Sequence, residues 1–543
     1  MTITSVRLTA VGRLALLLCI VSMAGDLGAA GPSPLVEAVK RGDVATVRQL
    51  ARNKAAVNAA EADGTTALHW AVQGNNAELV TLLLRAGANV KTPNRYGVPP
   101  ITLAAMNGSA AVVGALLEAG ADANTLTAAG EPVLLTAART GDLKTVETLL
   151  KRGAQVNTRE QWFGETALMW AASENHADVV KALAAAGGEV NARSTVLDTP
   201  VLEFPRSGGP NSPFPRGGWT PLMFAARQGS TEAALALVGA GADLNTVVLP
   251  ETDVTLKPEE LTSADRGIGT SALVFAIINA HYDLAVKLLE KGANPNVVDI
   301  AGMGALYAAV DMNSMQWIQG RPQPILTDSI DGPELVRILL QKGAVPNARL
   351  RRNPLKRHHD AGTTLNFGEG TTPLMRAART NDVAVMKVLL DGGADPFLTL
   401  PDRTNILMIA AGQGYGGIRG EAIRIVIPTP EGAVEAVQLL LDRGMDVDAF
   451  NSAGNTALHG AVGRGDAVVK LLASKGATLN QRNKAGFTPL DLALGRAGGR
   501  GGRGGVVRES TATLLRQLMK EAGIAEAPAP SPARAAGPRP TQQ

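Results

Sequence analysis

DGTTALHWAVQGNNAELVTLLLRAGANVKTPNR, residues 63–95, decides how the whole chain is read. Thr66-Ala67-Leu68-His69 opens an Ala-rich apolar segment that ends at Val72. Gln73-Gly74-Asn75-Asn76 breaks it with polar residues, and a second apolar run, Leu79 to Leu84, leads to Gly87-Ala88-Asn89-Val90. The pattern predicts two helices of about ten residues joined by a turn, with Gly87 where a helix C-terminus needs a left-handed residue. Helices that short are marginal in water by themselves. Each persists only by stacking on a copy before it and a copy after it.

The copies are present. Thr220-Pro221-Leu222-Met223, Thr372-Pro373-Leu374-Met375 and Thr488-Pro489-Leu490-Asp491 repeat the opening with proline, whereas Ala-Leu follows Thr66, Thr166 and Thr456. The ending returns at Leu116–Asp122, Leu149–Ala154, Leu288–Asn294, Leu389–Asp395 and Leu471–Ala477. A period of roughly 33 residues with T-P-L-H-like openings resembles the ankyrin repeat. Eleven units after a degenerate first one cover residues 34–523. The resemblance implies an all-α fold, an ankyrin-repeat α-solenoid of helix-turn-helix units with degenerate caps. β-hairpin fingers would link one unit's second helix to the next unit's first, beside a concave face lined by the first helices.

Residues 1–30 carry Arg7 and Arg13, then the apolar run Leu14–Val21, then small residues up to Ala30. A basic start, a short apolar run and a small-residue exit read as a secretory signal peptide. The run is shorter than the roughly 20 residues that span a bilayer. Leu18 before Cys19 is bulky where a lipoprotein signal needs a small residue, which disfavours lipid anchoring. This places the expected chain in the periplasm or outside the cell, as a monomer with no membrane span.

Cys19 is the only cysteine, so an exported chain would have no disulfide, no thiol nucleophile and no Cys-ligated metal. The formal charge of +3 would become +2 once Arg7, Arg13 and Asp26 leave with the leader. So small a charge does not suit a general nucleic-acid binder. The N-terminal capping unit spans 31–62, with Lys40, Arg41 and Arg48 on its exposed side, as solubility of a terminal repeat requires. The array then runs over 63–523.

Five insertions interrupt the array: 195–217, 249–268, 313–332, 351–369 and 412–430. The first, second and fourth fall on finger links, the other two between the helices of a unit. Insertions in repeat arrays often mark the binding face, although long surface loops also drift at little entropic cost. GGRGGRGG, residues 498–505, reads as a linker before the last helix, and 524–543 is a Pro/Ala/Arg tail expected to be disordered.

Enzyme-like motifs are weak. Gly412–Gly417 fits G-x-G-x-x-G, but the repeat phase makes the preceding Ile406–Ala411 a helix rather than the strand a dinucleotide site requires. His69 and His459 stand at the T-x-L-H position, where the resemblance implies a hydrogen bond to neighbouring backbone. His176 and His281 fall at turns into second helices. His358-His359-Asp360 is the one cluster, and two ligands from one loop make a poor metal site. No cofactor and no metal is expected.

The scarce aromatics are more informative. Trp70, Trp170, Phe224 and Phe275 lie two residues after the Leu of T-x-L and are expected in the core. Trp162 and Phe163 lie at a finger tip, and Trp219 just before Thr220. Arg139, Arg227 and Arg379 lie two residues beyond the first helix's Ala-Ala or its equivalent. The resemblance implies that Trp162, Phe163, Trp219, Arg139, Arg227 and Arg379 contact a partner. The sequence is therefore read as a non-enzymatic scaffold for a protein or peptide. An accessory or inhibitor of a periplasmic enzyme is the alternative. A further one is an enzyme with catalytic groups in the insertions, which would need His358, His359, Asp360, Asp253 and Glu259 to converge.

Export has a direct check. N-terminal sequencing of the natural protein is expected to begin near Gly31, and soluble cytosolic protein retaining Met1 would contradict it.

Overall fold

The computed structural model describes residues 33–195, 217–248, 268–314, 328–352, 368–413, 430–497 and 506–526. The expected leader, most of each insertion, GGRGGRGG and the tail beyond 526 lie outside the described residues. So do His358, His359, Asp360, Asp253 and Glu259. The chain divides into two compact units, Met1–Asn294 and Pro295–Gln543.

Both units are all-α stacks of helix pairs. The first begins with the cap pair, Pro34–Lys40 and Val44–Leu50, and a single-turn helix, Lys54–Val57. Six pairs follow. They are Ala67–Gln73 with Ala77–Arg85, Pro100–Met106 with Ala110–Glu118, and Val133–Thr140 with Leu143–Lys151. Then come Ala167–Ser173 with Ala177–Ala185, Pro221–Gln228 with Thr231–Gly239, and Ala272–Ile278 with Tyr282–Glu290. The second unit holds pairs seven to eleven: Ala305–Ser314 with Gly332–Gln341, Pro373–Thr380 with Val383–Asp391, Ile406–Ala410 with Pro430–Leu441, Ala457–Ala461 with Asp466–Ser474, and Pro489–Ala493 with Glu509–Glu521.

The starts and stops follow from the residues. Thr166, Thr220 and Thr372 cap their helices by accepting the backbone N–H three residues on, at 3.3–3.4 Å. In Pro221, Pro373 and Pro489 the missing N–H sits in the first turn, where no intrahelical partner exists. Gly87 ends its pair at φ +90° with open space where a Cβ would lie, so the left-handed backbone alone demands glycine.

Within each unit, first helices of successive pairs pack on one another, and second helices largely do the same. Leu79, Val80 and Leu83 are fully buried, and Val112, Val113 and Leu116 repeat them one period on. Burying a Leu or Val side chain stabilises by about 1.5–3 kcal/mol. No pair covers its own row; the neighbour does.

Polar clips accompany this packing. Asn58 Nδ2 donates to the Gly87 carbonyl at 3.0 Å, and its Oδ1 accepts from Asn89 N–H at 2.7 Å. Asn124 does the same to Gly153 and Gln155, Asn157 to Gly187 and Glu189, and Asn191 to Gly241 and Asp243. In the second unit Asn296 and Asn347 repeat it. His69 and His459 act alike across the fingers. Nδ1 meets the Thr66 or Thr456 hydroxyl, and Nε2 reaches the carbonyl of Val98 or Phe487 at 3.3 Å. Burial lowers both histidine pKa values, consistent with neutral rings in this role.

Among the described residues the fingers hold no full strands. Six of them are closed by a single antiparallel bridge, including Ala60 to Thr66, Leu126 to Pro132 and Arg159 to Thr166.

Leu83→Ala is expected to cost on the order of 2–5 kcal/mol. Amide exchange should quicken over residues 63–128 and hold steady over 457–521, because coupling runs between neighbours. Equal loosening of both regions would refute a stack.

Candidate functional site

The first helices share a second, polar-edged row. Counting from the residue before each first helix, the fourth and seventh positions lie one turn apart on one face. The fourth residue of one unit meets the seventh of the unit before. Lys40 Nζ stands 4.5 Å over the Trp70 ring, and the Arg139 guanidinium 5.2 Å over Trp170. In the second unit Arg376 Nε donates to Asp311 Oδ1 at 2.7 Å.

Acids beneath the row complete it. Glu61 accepts from Lys40 Nζ at 2.7 Å and from Trp70 Nε1 at 2.6 Å. Desolvation opposes the Lys40 charge, but Glu61 and Glu37 outweigh it and push its pKa up. Glu131 pairs with Arg139 Nη2 at 3.0 Å and accepts the Thr136 hydroxyl at 2.7 Å. Downstream, Arg227 lies 5.1 Å over Trp219, whose ring packs 5.4 Å from Phe224 and 4.9 Å from Phe275. His176 and His281 reach the Arg139 and Arg227 carbonyls at 3.1 and 3.2 Å, fixing the backbone that carries each arginine.

Glu165 sits in the middle of this run. Burial raises its pKa to about 7, and nearby Glu160 adds to the rise; Trp170 and Arg227 oppose it. The Trp170 indole N–H falls short of a full hydrogen bond to it.

The adjoining finger is one residue longer than its counterparts: Glu160 to Gly164, against Glu61 to Gly64 and Asn94 to Gly97. Glu160 organises it. Its carboxylate accepts the backbone N–H groups of Trp162 at 2.8 Å, Phe163 at 2.6 Å and Glu165 at 3.0 Å. Gly164 has φ +61°, and a Cβ there would collide with Thr195 Oγ1, while Thr195 N–H donates to the Phe163 carbonyl at 2.7 Å. Trp162 is thereby held 62% exposed and Phe163 43% exposed.

The six residues expected at a partner surface therefore divide. Trp162 and Phe163 form the exposed finger tip; Arg227 is exposed and Arg139 half-buried on the aromatic row. Trp219 is not displayed as expected, because its ring is the hub of the Phe224–Phe275 cluster. Arg379 is a correction too. It is 5% exposed, donates to the Gln413 carbonyl at 3.1 Å, and its own carbonyl accepts from Arg464 at 2.7 Å. Trp70, Trp170 and Phe224, expected in the core, are half-buried because the fourth position faces the edge of the stack; Phe275 alone is buried. Glu160, Glu165 and Glu131 were not singled out from sequence; aligning the fourth and seventh positions would have exposed the acids beside them. Among the described residues no three His, Cys, Asp or Glu gather as metal ligands would, and no helix is long and apolar enough to cross a membrane.

The Glu165 environment favours the protonated form in the folded chain. The stability this lends is full below the ordinary Glu value of 4.5 and is lost as pH rises through about 7. Thermal melts at pH 6 and 8 are expected to differ less in Glu165→Gln than in the parent chain. An unchanged difference would remove Glu165 from the account.

Two family models agree with this architecture. The family model described as "Ankyrin repeats (3 copies)" matches residues 12–94, 101–194, 134–248 and 425–500, and the model "Ankyrin repeat" matches 369–399. The first of these matches begins inside the expected leader. No curated protein matches the chain. Among solved structures, the human ASB11 ankyrin repeat domain aligns at 25% identity over 49% of this chain and 100% of that one, with a TM-score of 0.37. The family models cover more than half of the sequence, and the helix pairs recur in phase with them: this chain belongs to the ankyrin repeat family.

Proposed function

We propose that the chain is a non-enzymatic scaffold that holds a protein or peptide partner along the finger side of its third to sixth regular pairs. Ankyrin repeats generally mediate protein–protein interaction, which supports the class of partner. The observation that carries the site is the finger tip: two large aromatics kept in solvent by a turn whose three backbone N–H groups donate to the Glu160 carboxylate. Aromatic and arginine side chains dominate interface energies when desolvated, and a tip already ordered loses little entropy on binding. Export through the N-terminal segment, and so a periplasmic or extracellular partner, is part of the same proposal.

Trp162→Ala with Phe163→Ala is expected to leave the melting temperature nearly unchanged while capture of the partner from a periplasmic extract falls at least tenfold, about 1.4 kcal/mol. Trp219→Ala should instead lower the melting temperature, since it empties the Phe224–Phe275 cluster. Persistent capture by the folded double variant would overturn the assignment.

A further inference from the structure

We infer that this face takes an extended acidic peptide segment, its carboxylates laid on the ring-stacked guanidiniums of Arg139 and Arg227 and an apolar side chain against Trp162 and Phe163. The inference rests on the binding reading above and names the partner's chemistry.

The argument begins with position. Arg139 and Arg227 hold the same place on Val133–Thr140 and Pro221–Gln228, and Ala167–Ser173 packs against both helices. Packed helices lie about 8–10 Å apart, so the two guanidiniums are roughly 16–20 Å apart. An extended chain rising about 3.3 Å per residue crosses that in five or six residues. The equivalent place on the helix between them is Ser173, small and uncharged. The Arg139 and Arg227 guanidiniums stand over the Trp170 and Trp219 rings, and the carbonyls behind them are tied to His176 and His281. Stacked, planar forks suit carboxylates, which accept paired N–H bonds from guanidinium. Arg227 is also the outermost charge of the row: it is exposed, whereas Arg139, Glu131 and Glu165 are half-buried.

Glu165 supplies a proton-linked consequence. The charged groups facing it are Glu160 on its own finger and Arg227 on the following helix, with Trp170 beside them. On the preceding helix, Arg139 is already paired with Glu131. A partner carboxylate arriving here favours protonated Glu165, so an acidic segment binds with proton uptake and more tightly as pH falls from 8 to 6. A basic segment would show the reverse. The sign of the pH dependence therefore reports the charge of the occupant.

The test is selection of a displayed random peptide library on the purified full chain. The recovered pool should be enriched in acidic pairs five or six positions apart with a nearby apolar residue. A selected peptide should bind at least tenfold more weakly to Arg139→Gln/Arg227→Gln, and less weakly to the Lys variants, which keep the charge but lose the fork. Its affinity should rise severalfold from pH 8 to pH 6, and Glu165→Gln should flatten that rise. Melting curves of each variant separate misfolding from lost contact. A basic or unbiased pool that still requires Trp162 and Phe163 overturns the acidic occupant and leaves the binding face standing. A pool indifferent to all four side chains, or no enrichment at all, overturns both.

Discussion

Each helix pair leaves its apolar row uncovered, and that constraint governs everything else in the chain. Leu83 and Leu116 are each sealed by the adjacent pair, and the Asn58, Asn124, Asn157 and Asn191 side chains tie each finger base to the next loop. The two devices are complementary. Apolar contact fixes the distance between pairs but tolerates sliding, whereas an amide that donates to one backbone group and accepts from another permits a single register. Stability is then a sum over neighbours, and insertions can enter at links without disturbing pairs two or more units away.

The same register brings the fourth position of one first helix onto the seventh of the one before, and what stands there is free to vary. Arg139 on Trp170 is a half-exposed cation–π contact, of the kind worth about 0.5–1 kcal/mol. Arg376 on Asp311 is a buried ion pair, with Arg376 1% exposed and its two Nη nitrogens unpaired among the described residues. Desolvation of such a pair offsets most of its attraction. Its net contribution to stability is therefore small. One geometric slot thus serves a solvent-facing surface in the first unit and a sealed contact in the second.

Periodicity made the pairs, their caps and their buried leucines legible, because each depends on residues within one unit and its neighbour. Two of the misreadings arose where the partner lies across an insertion. Trp219 looked displayed since Phe275, which packs against it, follows the 249–268 insertion. Arg379 looked available since the Gln413 carbonyl that binds it stands at the edge of another. Glu160 escaped notice for a different reason. Its finger is one residue longer, so alignment by period shifts it out of step with Glu61 and Asn94.

That extra residue links the fold to the site. In the shorter fingers Asn94 accepts two backbone N–H groups with its amide oxygen, which folds the tip back on itself. Glu160 has a longer side chain and two oxygens, and it accepts three, spanning the added residue. Trp162 and Phe163 are consequently pushed outward by an ordered turn rather than left on a slack one. The carboxylate that does this is held 9% exposed beside Glu165, and its charge adds to the burial that raises the Glu165 pKa to about 7. The residue that displays the aromatics therefore also disfavours a second negative charge on the surface next to them.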